Sequence, residues 1–193
     1  GVRRSRLSSL AARGVAGVRR DLAGEGSAQL DDPRLAQLAG QLADLDLVLQ
    51  IHCQDDQAIA VASAMERLPC RIVIDHCGRP DPGGGLRSTS FRALCSLSAL
   101  PRVAVKLSGG FRFGRRSSRY ADTDQYARAL LAAFGPDRCV WGSDWPFVRM
   151  PHRIDYGTSL AMLARWLPDA RTRRTILVDT PRRWFGFEIW RNP

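Results

Sequence analysis

The chain has 193 residues, 45% of them hydrophobic and 25% charged, with 29 Lys and Arg against 19 Asp and Glu for a formal charge of +10. This composition excludes a disordered or fibrous chain and leaves room for one domain with an ordinary core. No apolar run approaches the ~20 residues of a membrane helix, so no membrane partner is expected. All the cations but Lys106 are arginines, spread along the whole chain, with the densest group at Arg112, Arg115, Arg116 and Arg119. Nucleic-acid binders cluster their cations with stacking aromatics or a known module; here a solvated surface and no nucleic-acid partner are expected. The five cysteines, at 53, 70, 77, 95 and 139, form no C-x-x-C and sit at apolar positions. They predict reduced, buried thiols in a cytoplasmic protein.

In chain order, a first helix stops at Gly14 and residues 13–20 read as a strand. Asp31-Asp32-Pro33 supplies an N-cap and a first-turn proline, and Leu35, Leu38, Leu42 and Leu45 follow at helical spacing. Residues 47–52 are a strand and 56–68 a helix; 71–76 are a strand and 90–100 a helix. A fourth strand covers 102–108 and a helix 124–134; a fifth strand covers 138–144, with helices over 159–167 and 171–184. Asp81-Pro-Gly-Gly-Gly85 is a strand-to-helix loop. Five strands alternating with helices predict an α/β fold with a parallel sheet. Near-continuous apolar strands such as Ile72-Val73-Ile74 fit burial on both faces.

Four strands end in chemically capable residues. By alternation, Val48, Gln50 and His52 share a face, as do Ile72, Ile74 and His76; Ala104, Lys106 and Ser108; and Val140, Gly142 and Asp144. Each set is expected to point inward, with its last member at the strand's C-terminal end. In a parallel barrel those ends converge on one mouth, where catalysis occurs. A lone His at a strand end is commonly a satisfied structural residue, and Asp144 is also suited to capping the turn at Trp145-Pro146. Two His and one Asp at corresponding ends of separate strands favour a shared site. A serine-hydrolase arrangement of Ser108, His76 and Asp144 is disfavoured because no G-x-S-x-G occurs.

Gly17-Val-Arg19, Leu49-Gln-Ile-His52, Val73-Ile-Asp-His-Cys-Gly-Arg-Pro80, Lys106-Leu-Ser-Gly109 and Trp141-Gly-Ser-Asp-Trp-Pro146 resemble the amidohydrolase superfamily. The match is greatest with its branch of pyrone-dicarboxylate lactonases and sugar-lactone hydrolases. The segment from Ile176 to Phe187 is similar to that branch's closing helices, with Thr180 where the family has Asn before Pro. The resemblance implies a (β/α)8 TIM-type barrel, incomplete here, with the five strands as numbers four to eight in a single partial domain over 1–193. The first strand, whose His-x-His binds metal in the metal-dependent members, has no counterpart in this sequence. On the family's pattern His52, His76 and Asp144 are site residues and Arg19 matches a carboxylate-binding position. Asp144 and His76 are expected to be catalytic, and Arg19, His52, Lys106 and Arg112, which lies just past Lys106-Leu-Ser-Gly-Gly, to bind substrate. His52 and Asp144 double as metal ligands if the complete enzyme takes a divalent ion such as zinc. The implied activity is hydrolysis of a small acidic lactone or related carbonyl compound. The alternative is a truncated or degenerate barrel acting as a small-molecule binding module. Missing strands would also leave exposed sheet edges and a chain prone to associate.

Overall fold

A computed structural model describes residues 3–187. Five strands lie in chain order across one sheet, and every neighbouring pair is parallel: β1 (Gly17–Asp21), β2 (Val48–His52), β3 (Arg71–Ile74), β4 (Val103–Leu107) and β5 (Cys139–Trp141). Among the described residues, β1 and β5 have no second strand partner. The intervening helices are α1 (Arg4–Ala12), α2 (Leu22–Glu25), α3 (Pro33–Asp44), α4 (Gln57–Met65), α5 (Thr89–Ser96), α6 (Asp124–Phe134), α7 (Tyr156–Trp166), α8 (Ala170–Arg174) and α9 (Thr180–Phe185). The first strand is shorter than the sequence pattern predicts. Gly14, at φ +90°, takes the left-handed turn that ends α1, so residues 13–14 belong to that turn and pairing begins only at Gly17. The cap expected at Asp32 forms, its carboxylate accepting from the Arg34 backbone N–H at 2.9 Å ahead of Pro33. One π-helical turn over Thr175–Asp179 interrupts the last predicted helix, just before Pro181.

The two faces of the sheet differ. Leu49, Ile51, Ile72, Ile74, Val103, Val105, Leu107 and Cys139 face the helices in the main core. Val48, Val73, Ala104 and Val140 form a second, smaller apolar cluster on the inner face, closed at the N-terminal end by Trp184 of α9. Burying side chains of this size is worth about 1.5–3 kcal/mol each, so the helix-facing layer dominates stability. The inner cluster forms an apolar floor beneath the C-terminal strand ends. Thr180 is fully buried and donates to the Pro136 carbonyl at 2.8 Å, holding α9 against the start of β5. Cys53, Cys70, Cys77 and Cys139 are buried free thiols, and burial pushes Cys53 and Cys77 up to about 12. No described helix is long and apolar enough to cross a membrane.

Alternation places the inner face correctly for β2, β4 and β5 but inverts it for β3. Ile72 and Ile74 belong to the helix-facing core, and Val73 is the inward residue. The next inward position is therefore Asp75, not His76. The chain leaves strand geometry after Asp75, and His76, Cys77 and Arg79 take left-handed conformations with φ of 49°, 54° and 44°. That turn, rather than strand alternation, swings the His76 ring over the sheet's end.

Candidate active site

The C-terminal ends of all five strands open onto one cavity of about 450 Å³. Its lining includes every candidate named from the sequence: Arg19, His52, His76, Lys106, Arg112 and Asp144. Asp21, Gln50, Asp75, Ser108 and Arg149 join them.

Asp75 is the centre of the floor. It is 1% exposed, and its two carboxylate oxygens accept from Arg19 Nε, Gln50 Nε2 and Lys106 Nζ, all at 2.8 Å. Burial alone would push this carboxyl up. The Lys106 ammonium, the nearby His76 and the hydrogen bonds from Lys106 and Gln50 outweigh that and hold it at about 2. Removing one partner from such a buried pair costs about 3–5 kcal/mol. Lys106, the chain's one lysine, therefore has a defined partner on the inner face.

Above this floor sit His76 and Asp144. His76 is 5% exposed; its Nδ1 lies 2.9 Å from Ser108 Oγ and its Nε2 3.5 Å from Asp144 Oδ1. A carboxylate has only acceptors, so the ring proton belongs on Nε2, and Nδ1 accepts from the Ser108 hydroxyl. Burial pulls the His76 pKa down to about 4 against the pull of Asp75 and Asp144, with Lys106 and His52 lowering it further. The ring is neutral at pH 7. Asp144, at φ +65°, leaves the turn after β5 with its carboxylate toward the cavity. The capping bond to the Trp145 N–H comes from Ser143 Oγ at 3.2 Å. Asp144 Oδ2 instead accepts from Arg112 Nε. Arg112 also donates from Nη2 to the Val148 carbonyl at 3.3 Å and meets the Met150 thioether through Nη1. It reaches the cavity as Asp144's partner, with only the Nη1 edge opposed by nothing stronger than sulfur.

His52 packs edge-on against His76, with ring centroids 5.3 Å apart. Its Nδ1 lies 2.7 Å from Asp21 Oδ1 and its Nε2 3.4 Å from Arg79 Nη1. The acceptor-only carboxylate and donor-only guanidinium fix the tautomer: Nδ1 carries the proton and Nε2 accepts. Burial lowers the His52 pKa, and the Asp21 hydrogen bond only partly opposes it.

The two residues proposed as metal ligands each face a guanidinium, Arg79 on His52 and Arg112 on Asp144. Among the described residues, no three His, Cys, Asp or Glu side chains converge to hold an ion. The donor set of this chain does not by itself fit a metal.

Sequence reasoning missed Asp75, Asp21 and Arg79 as site residues. Asp75 was detectable: it is an acid following Ile72-Val73-Ile74 in an otherwise apolar strand, in register with His52 and Lys106. Asp21 and Arg79 gave no local signal, because their partner His52 is 31 and 27 residues away.

The model of the amidohydrolase family matches residues 3–187. A 4-sulfomuconolactone hydrolase from Rhizobium radiobacter is 35% identical over 187 residues, covering 93% of this chain and 61% of that protein. A crystal structure from Pseudomonas putida, assigned as a 2-pyrone-4,6-dicarboxylic acid hydrolase, superposes with a TM-score of 0.88 at 32% identity, covering 97% of this chain and 69% of the other. An amidohydrolase from Burkholderia multivorans with bound zinc gives a TM-score of 0.75 at 28% identity, covering 89% of this chain and 64% of the other. The chain thus spans about 61% of the length of the sulfomuconolactone hydrolase, and its five consecutive parallel strands are part of the larger barrel of such relatives. With the matched model running from the first helix to the last, the chain belongs to the amidohydrolase family.

Proposed function

We propose that the protein carrying these residues hydrolyses a small acidic lactone, with Asp144 as general base and His76 as the carbonyl-polarising group. The observation that carries this reading is the pairing of His76 and Asp144 across 3.5 Å at the mouth of a cavity whose floor holds Arg19 and Lys106. The name of the 4-sulfomuconolactone hydrolase and the assignment of the Pseudomonas putida protein as a 2-pyrone-4,6-dicarboxylic acid hydrolase, each naming an acidic ring, support the substrate class.

Asp144 Oδ1, with Arg112 engaged on the other oxygen, faces His76 Nε2 across 3.5 Å; a water seated between the two gives its proton to Oδ1. As water adds to the lactone carbonyl, negative charge grows on its oxygen, and the neutral His76 donates to it from Nε2. The Ser108 hydroxyl on Nδ1 keeps that proton on the reactive nitrogen. When the tetrahedral centre collapses, the ring C–O bond breaks and Asp144 returns the proton to the leaving alkoxide. The products are an open-chain hydroxy acid, or its keto form where the alkoxide is an enolate. General-base help of this kind is typically worth about 10²–10⁴-fold.

Substrate charge is met by the free Nη groups of Arg19, the remaining donors of Lys106 and the Nη1 edge of Arg112. An Arg fork holds a carboxylate or sulfonate through parallel hydrogen bonds, which orients the ring as well as binding it. His52 forms the apolar and hydrogen-bonded wall beside His76. The test is hydrolysis of acidic lactones by the full-length protein in ¹⁸O-water. One label in the newly formed carboxylate is expected; ring opening of none of a panel of acidic lactones overturns the reading.

A further inference from the structure

We propose that Asp75 is a positioning residue that sets Arg19 and Lys106 in advance as the seat for one oxyanion group of the ligand. The inference rests on the acidic-substrate reading above, but its deciding test is a binding measurement that needs no turnover.

Asp75 itself does not face the ligand. At 1% exposure, with both oxygens occupied, it lies behind the two cations rather than in front of them. What it does is tie four adjacent strands together. Arg19 comes from β1, Gln50 from β2, Asp75 follows β3 and Lys106 comes from β4. Gln50 donates to both carboxylate oxygens and so fixes the plane of the carboxylate. That plane decides how Arg19 lies: it is bonded to Asp75 through Nε, which leaves its two Nη groups for other acceptors. Among the described residues no protein acceptor takes those groups, and the Arg19 side chain is 43% exposed at the cavity. Lys106 gives one of its three N–H bonds to Asp75 and lines the same cavity.

Two cations against one carboxylate leave a surplus positive charge on the cavity side. Arg and Lys side chains are otherwise rotamer-rich, and binding must immobilise them at a cost to affinity. Here Asp75 has already immobilised them. The group that fits is a planar oxyanion, a carboxylate above all, taken in parallel by the Arg19 fork with Lys106 beside it.

Charge and geometry make opposite predictions for Asp75→Asn, which gives the test its direction. If Asp75 only dilutes the positive field, removing its charge tightens anion binding. If it positions the cations, the amide, whose NH2 faces donors, releases them and binding weakens. The measurement is calorimetric titration of the full-length protein with isophthalate, a planar dicarboxylate with no ring to open. Asp75→Asn is expected to weaken binding by about tenfold or more, and with an acidic lactone to raise KM more than it lowers kcat. Arg19→Lys keeps the charge but loses the fork, and the same direction is expected; this variant decides the matter if Asp75→Asn does not fold. Equal or tighter isophthalate binding by folded Asp75→Asn, wild-type affinity in Arg19→Lys, or no isophthalate binding by the wild type overturns the proposal. A wild type that binds isophthalate in this Asp75-dependent way yet opens no lactone overturns the hydrolase reading and leaves the positioning role standing.

Discussion

Acidification is expected to destabilise the protein through His76 at a higher pH than through Asp75. The ring is buried, and its pKa falls from the ordinary 6.5 to about 4. Between those values the unfolded chain binds a proton that the folded one refuses, so stability falls as pH drops from about 6.5 toward 4. At ~1.4 kcal/mol per pH unit, that gap amounts to about 3 kcal/mol, a large share of a margin of roughly 5–15 kcal/mol. Asp75 acts lower down: held at about 2 against an ordinary 3.8, its contribution is present above 3.8 and lost as pH falls toward 2. The two windows therefore separate. Urea unfolding of the full-length protein at pH 7, 5.5 and 4, for wild type and His76→Gln, measures the first one. The wild type is expected to lose about 3 kcal/mol over that range, and the variant markedly less. Equal losses in both would refute the assignment, as would an NMR titration placing the His76 pKa at 6.5 or above.

Gly109 sits at φ +60°, and a Cβ there would lie 2.8 Å from His76 Nδ1. Gly109→Ala is expected to cost about 1–2 kcal/mol from the left-handed backbone alone and to lower kcat by displacing the ring; thermal unfolding and kinetics read the two effects, and an unchanged kcat contradicts the placement of His76. Turnover of a dicarboxylate lactone is expected to exceed that of its diester by about tenfold or more, and Arg112→Met to lower kcat/KM for the acid. Equal rates for acid and ester, untouched by that substitution, would make the cavity cations bystanders.

Much of the fold was legible because the strands carry strong β-branched runs and the helices carry caps. Asp32-Pro33 and the helix over Asp124–Phe134 fall where the pattern puts them. The strand ends were less legible. Ile74, Leu107 and Trp141 end their ladders earlier than alternation suggests, and His76 and Asp144 reach the cavity through left-handed turns that non-glycine residue types do not announce. The candidate site was read as a set of ligand-facing groups. The structure adds the pairings that orient them: Asp75 with Arg19 and Lys106, Asp21 with His52, Arg112 with Asp144. These bonds join residues 31 to 56 positions apart, so only the assembled sheet brings them together. Arg112 illustrates the difference: its charge suggested a substrate contact, and its Nε serves the carboxylate beside it.

The central claim, that Asp144 moves the proton of the attacking water, is tested most directly by Asp144→Asn in the full-length protein with an acidic lactone. The substitution keeps the volume and an acceptor for Arg112 but removes the base. A fall in kcat of about 10²–10⁴-fold in a protein that remains folded is the predicted result; a folded Asp144→Asn protein that opens the ring at near wild-type rate would contradict the account.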